Sequence, residues 1–150
     1  MEKTHARTRR GIVAALLITG MLTAMTFTTM TFTTAPSASA ARRVPRQLCK
    51  FDWKKSDRQV KRTIRCAVRR WHVRGGVRKA MKVARRESGF EPRAYNSAGP
   101  YLGVYQHVRS YWPSRARQMG LPGKSAFNGR ANVIVSIRMV NKHGWGPWGG

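Results

Sequence analysis

From Ser56 onward apolar residues recur at the helical period. Val60, Ile64, Ala67, Val68 and Trp71 fall on one face of a 3.6-residue repeat, and Lys61, Arg62, Arg65, Arg69 and Arg70 occupy the other sides. The pattern predicts an amphipathic helix that ends before Gly75-Gly76. Ser56 with Gln59 three residues on fits a capping box, and Asp57 falls in the first turn, where the helix dipole favours an anion. A second helix is expected over Gly76–Ser88, with Val77, Ala80, Met81 and Ala84 as its stripe and Gly89 as its stop. Beyond Gly89 the period is lost. Phe90–Tyr95 reads as a turn, because Pro92 cannot continue a helix. Asn96–Pro100 reads as a loop and Tyr101–Gln106 as a short extended piece.

Pro113 suits the first position of a short third helix, Pro113–Met119, stopped by Gly120 and Pro122. A fourth helix is expected near Arg130–Lys142, with Ile134, Ile137 and Val140 in its stripe, Val133 beside it and Gly144 as its stop. The tail GWGPWGG is too rich in Gly and Pro for a regular element, so Trp145 and Trp148 are expected to fold back and close the core. These elements describe a mainly α domain of α+β type, small and helical, with one short extended segment.

The first forty residues follow a different logic. Lys3, Arg7, Arg9 and Arg10 precede an apolar, threonine-rich run over residues 11–34, and Ala38-Ser39-Ala40 is a small-x-small site. This is the layout of a secretory leader cleaved near Ala40. The run is long enough to span a bilayer, but its threonines and the cleavage site speak against a retained anchor. Thr8-Arg9-Arg10 leaves a twin-arginine export route open. The chain then divides into a leader (1–40), a basic arm (41–55) expected to begin loose and to be tied down near Cys49 with Phe51 and Trp53 as anchors, and a folded domain (56–150). What remains after cleavage is the size of one domain, and with no long apolar seam left over a monomer is expected.

Composition narrows the chemistry. The chain holds 30 Lys or Arg against 5 Asp or Glu, net +25; beyond residue 40 the balance is 26 to 4, net +22. Residues 41–95 carry +15 of this and residues 96–150 carry +7. Such a surface calls for an anionic partner. Cell-wall polymers, anionic lipid and nucleic acid all qualify, and charge alone does not choose among them. Of these the expectation for an exported chain is anionic cell-wall polymers, with nucleic acid not expected. Cys49 and Cys66 are the only cysteines, both in the exported part, so a bridge is expected, with two buried free thiols as the alternative. The four histidines are scattered, so no metal and no cofactor are expected.

No G-x-S-x-G, Ser/His/Asp set, phosphate loop or dinucleotide fingerprint is present. That leaves carboxyl chemistry, with Asp52, Asp57, Glu87 and Glu91 to perform it. Asp57 is explained by the helix start. Asp52, close to Cys49, remains a candidate assistant. Glu91 follows Glu87 by four residues, but Gly89 and Pro92 turn it away towards the surface. Glu87 sits where a helix ends; the dipole there disfavours negative charge, and Arg85, Arg86 and Arg93 oppose that effect. Its ordinary alternative is a surface pair with an arginine. Glycoside cleavage normally uses two carboxyls. One suffices if the acid protonates the glycosidic oxygen and an N-acetyl group or hydroxyl of the sugar acts intramolecularly; a hydroxyl that attacks its own anomeric carbon leaves an anhydro-sugar. The scarcity of acids therefore points towards transglycosylation over hydrolysis.

The run Glu87-Ser88-Gly89-Phe90-Glu91-Pro92-Arg93-Ala94, then Ser97-Ala98-Gly99, then Gly103-Val104-Tyr105-Gln106, resembles the ES-x-F-x-P-x-A … AG … GLMQ pattern of the soluble lytic transglycosylases. These belong to the goose-type branch of the lysozyme-like fold. Asn132 near a helix start and the Gly-Trp-Gly-Pro-Trp ending are similar to compact secreted members, including relatives of the resuscitation-promoting factors. The likeness covers about Ala80–Trp148. It implies a lysozyme-like domain whose extended segment lines a cleft. The activity implied is cleavage of peptidoglycan strands between N-acetylmuramic acid and N-acetylglucosamine, with anhydro ends as product. Glu87 would be the general acid/base and Gln106 a sugar contact. Ser88, Gly103 and Tyr105 would lie along the cleft, with Asn132 placed near the substrate. Val104-Tyr105 departs from the family's Leu-Met, the preceding connection is slightly longer, and the family's later tyrosine motif is not evident. A hydrolytic muramidase and a non-catalytic cationic envelope-binding protein are the alternatives. Tyr95, Tyr101, Tyr105 and Trp112 are candidates for sugar stacking or for core packing, and His107 for a structural histidine.

Overall fold

The computed structural model describes residues 43–150, so the expected leader lies outside the described residues. Four α-helices carry the domain: α1 (Asp57–Arg70), α2 (Gly76–Ser88), α3 (Trp112–Gln118) and α4 (Gly129–His143). Between α2 and α3 lies a three-stranded antiparallel sheet of two-residue strands, β1 (Tyr95–Asn96), β2 (Tyr101–Leu102) and β3 (His107–Val108), in the order β1-β2-β3. Tyr95 pairs with Leu102, and Leu102 with His107. Short 3-10 turns at Arg109–Tyr111 and Gly146–Trp148 complete the chain. The domain is mainly α with a small sheet, the class that the apolar pattern implies.

The amphipathic reading of α1 holds: Val60, Ile64, Ala67 and Val68 are buried, and each larger aliphatic contributes about 1.5–3 kcal/mol by leaving water. The capping box does not form. Ser56 is the N-cap, but its side chain makes no capping bond, and Asp57 instead pairs with Lys61 one turn on. In α2 the stop falls at Gly89 as expected, in the left-handed conformation. Helix α3 begins one residue before the expected Pro113.

α4 is the central rod. Ten of its 15 residues are buried, including Asn132, Val135, Ser136 and Met139 outside the expected stripe. A helix covered on most sides is apolar nearly all round, so the Ile134–Ile137–Val140 stripe describes only part of its contact surface. Its cap is Asn128, whose side chain accepts from Ala131 N at 3.0 Å.

Two further expectations are corrected. Tyr101–Gln106 is not one extended piece: the strand ends at Leu102, and Gly103–Gln106 forms a turn closed by Gln106 N to Gly103 O at 3.1 Å. The arm is also not loose as far as Cys49. Val44 is already buried and donates its N–H to Gly120 O, while Arg130 reaches back to Leu48 O at 2.9 Å and Pro45 O at 2.7 Å. Cys49 and Cys66 are bonded, tying the arm to α1 with their Cα atoms 5.6 Å apart. Reducing this bridge frees the loop in the unfolded chain and is expected to lower the unfolding free energy by about 3 kcal/mol. Urea titrations with and without reductant read this directly; coincident midpoints would contradict it.

Candidate functional site

Glu87 occupies the last turn of α2, and the chain reverses immediately behind it. Gly89 (φ 62°) ends the helix by donating to Arg85 O at 2.9 Å, and Phe90 follows at φ 74°. A bulky residue at positive φ is strained. Phe90 is held there by burial of its ring and by Lys61 and Arg85, 4.5 and 5.8 Å from the ring centre.

The Glu87 side chain is 22% exposed. Its Oε1 accepts from Arg86 Nε at 3.1 Å and Nη2 at 2.7 Å. Successive positions on a helix do not face one another. Arg86 is turned across because its Nη2 also donates to Trp148 O at 2.6 Å. The C-terminal turn thus sets the charge beside Glu87. This is the Glu–Arg pair that the sequence leaves as the ordinary alternative to a catalytic role. Arg86 is well exposed, so water screens the pair and it adds little stability.

The residues expected around Glu87 do gather. Ser88 Oγ donates to Val104 O at 2.8 Å, joining the end of α2 to the turn sixteen residues on. Gly103 (φ 75°) has no room for a side chain, since a Cβ there would fall inside contact distance of Ala126 O and Asn132 Nδ2. Asn132 is fully buried and holds the loop at three points. Its Oδ1 accepts from Tyr105 N at 2.9 Å, and its Nδ2 donates to Leu102 O at 3.1 Å and Ala126 O at 2.9 Å. Tyr105, also fully buried, donates its hydroxyl to Ala80 O at 3.0 Å, and its own carbonyl accepts from Trp148 Nε1 at 2.8 Å. Gln106 is half-buried at φ 49°, with Nε2 donating to Gly103 O at 2.8 Å.

These positions separate the expected site residues into two groups. Gly103, Tyr105 and Asn132 are buried and form the frame of the turn, so the expectation that Gly103 and Tyr105 lie along a cleft and Asn132 near the substrate is corrected by their burial. Ser88, next to Glu87 in the chain, and Gln106, in the turn that Ser88 bonds, are half-buried. Among the aromatics, Tyr95 and Tyr101 are 56% and 38% exposed, while Trp112 joins Tyr105 in the core. Trp145 and Trp148 close the core as expected, edge-on to each other with ring centres 6.0 Å apart. Asp52 and Glu91 are exposed, and Glu91 Oε1 accepts from Arg93 N at 2.8 Å. Three cavities of about 1230, 510 and 450 Å³ open on the surface, and Glu87 lines none of them; the expected cleft beside it is not among the three. The smaller of the first two lies just past α2, between residues 53–57 and 89–93.

Beneath the turn runs a polar chain that the sequence does not reveal. Ser136 Oγ donates to Asn132 O at 2.8 Å, so it accepts from His107 Nε2 at 2.7 Å, and His107 Nδ1 accepts from Arg115 Nη1 at 3.1 Å. This network assigns the tautomer. Burial, with the Arg115 guanidinium adding to it, holds His107 down at about 3, against an ordinary value of 6.5. The unfolded imidazole takes a proton below pH 6.5 and the folded one does not. Stability is therefore full above pH 6.5 and falls as pH drops towards 3, at about 1.4 kcal/mol per pH unit for this one proton. Denaturant titrations at pH 7.5, 5.5 and 4.5 should show this extra loss in the wild type and not in His107→Gln. Equal pH dependence of the two would remove His107 as the cause.

Among the described residues no three His, Cys, Asp or Glu side chains converge as metal ligands would. No protein-family model, curated protein or solved structure matches this chain.

Proposed function

We propose that this chain is an exported peptidoglycan-cleaving enzyme of lysozyme-like fold, a lytic transglycosylase in which Glu87 acts first as acid and then as base. The observation that supports the reading is the junction of three separated stretches. The helix end at Glu87-Ser88, the turn Gly103–Gln106 and Asn132 are joined by the Ser88–Val104 and Asn132–Tyr105 hydrogen bonds. These are the stretches that carry the resemblance to soluble lytic transglycosylases.

With Oε1 held by Arg86, Oε2 is the oxygen that carries the working proton. It passes to the glycosidic oxygen, the bond to the anomeric carbon breaks, and the N-acetylglucosamine side leaves as an alcohol. The primary hydroxyl of the muramic unit bonds to its own anomeric carbon and returns its proton to Glu87, so no water is consumed. Gln106 Nε2 is spent on the turn, which leaves its Oε1 as the acceptor for a sugar hydroxyl. Tyr95 and Tyr101 offer exposed rings on the small sheet for sugar faces.

Purified peptidoglycan incubated with the protein should release muropeptides with anhydro ends, read by mass spectrometry. Products heavier by one water would assign hydrolysis instead. No release by a folded sample would overturn the enzyme reading in favour of a cationic binder.

A further inference from the structure

An open groove of about 1230 Å³ runs between the arm and the Gly120–Lys124 segment. Arg43, Arg46, Lys50, Lys124 and Arg130 line it against a single carboxylate, Asp52. Its walls are fastened: Val44 N bonds Gly120 O, Arg130 bonds Leu48 O and Pro45 O, and the Cys49–Cys66 bridge anchors the arm to α1. Arg43, Arg46, Lys50 and Lys124 are exposed. None of them is in an ion pair among the described residues, where the two pairs are Lys61–Asp57 and Arg86–Glu87. Cations that face one another across a concave surface repel, and their summed field draws an anion into the space between them.

We infer that this groove binds a linear phosphodiester polymer of polyol units. The volume exceeds the roughly 300–1,000 Å³ of a small-molecule pocket, and the groove is open, so a length of chain fits it better than one phosphate. Arginine forks meet phosphate oxygens, as they do carboxylates, with paired hydrogen bonds. A nucleic acid needs aromatic faces for its bases as well. The two rings in the groove wall are already engaged. Phe51 is covered by the Arg62 guanidinium at 4.6 Å, and Trp53 packs against Gly129, where an added Cβ would lie 3.1 Å from its ring. Both rings are half-buried with a neighbour against them, so five cations outweigh the ring surface left in the groove, which suits a polymer that has no bases. This inference does not depend on the role of Glu87.

Binding of poly(glycerol phosphate) to the intact protein, measured by calorimetry near physiological salt, tests it. Two variants remove the same four charges: Arg43→Gln/Arg46→Gln/Lys50→Gln/Lys124→Gln in the groove, and Arg58→Gln/Arg65→Gln/Arg69→Gln/Arg78→Gln on exposed faces of α1 and α2. The groove variant should lose about tenfold or more in affinity and the control about threefold or less. The double variant Lys50→Glu/Lys124→Glu, which leaves the arginines in place, should also lose about tenfold, and Glu87→Gln should bind as the wild type does. Equal weakening by the two fourfold variants, no binding by the wild type, or tighter binding of single-stranded DNA than of the polymer would each overturn the inference.

Discussion

Glu87→Gln is expected to lower release of anhydro-muropeptides from purified peptidoglycan by about a thousandfold or more, with the fold unchanged. The amide keeps the shape of the side chain and cannot donate the proton that the leaving sugar needs. Among the described residues no other carboxyl side chain is placed to substitute. Asp57 is paired with Lys61, Glu91 caps the Arg93 N–H, and Asp52 lines the groove beside the arm. The Glu87–Arg86 pair is exposed on the arginine side, so its loss should move the melting temperature by only about 2 °C. Glu91→Gln should retain near wild-type activity. Full-speed digestion by Glu87→Gln would place the acid elsewhere and end the proposal.

Asn132→Ala is expected to be the most damaging single change to the fold. It strands Tyr105 N, Leu102 O and Ala126 O, all of which meet the Asn132 amide in the interior. A buried polar group left without a partner costs about 1–3 kcal/mol, so a loss of about 3–5 kcal/mol is expected once some relaxation is allowed. For a domain of this size each kcal/mol moves the midpoint by about 4–8 °C, and a thermal melt would show a fall of roughly 12 °C or more. Asn132→Asp should be nearly as harmful, because it keeps the acceptor for Tyr105 N and loses both donors. Gly103→Ala attacks the same contact from the other side and should also destabilise. A melt of Asn132→Ala within a few degrees of the wild type would show that water replaces the amide, and that the turn does not need it.

Both experiments bear on how the site is built. Asn132 is fully buried; it holds Gly103–Gln106, the turn in which Val104 O meets Ser88 and Gln106 is half-buried. Beneath it the Arg115–His107–Ser136 chain ends on the Asn132 carbonyl. The loss of stability expected in acid should therefore reach the turn next to Glu87 as well as the core.

The residue order alone settled those features whose causes lie within a few positions. The bounds of α2 were legible, because the left-handed Gly89 is a local signal, and its stripe was legible in part: Ala80 and Ala84 are buried, Val77 and Met81 are half-buried, and Val83 is buried outside it. The α1 stripe and the Cys49–Cys66 bridge were legible for similar reasons of period and count. Tertiary structure decided the rest. It buried α4 on most sides, which no single stripe expresses, and broke Tyr101–Gln106 where Gly103 meets Asn132. It also chose Arg86 over Arg85 and Arg93 as the partner of Glu87, because Trp148 O, 62 residues away, pulls the guanidinium across the helix. Backbone propensity and apolar spacing act over one or two turns of chain, whereas a buried amide or a folded-back tail finds its partner only once the core has closed.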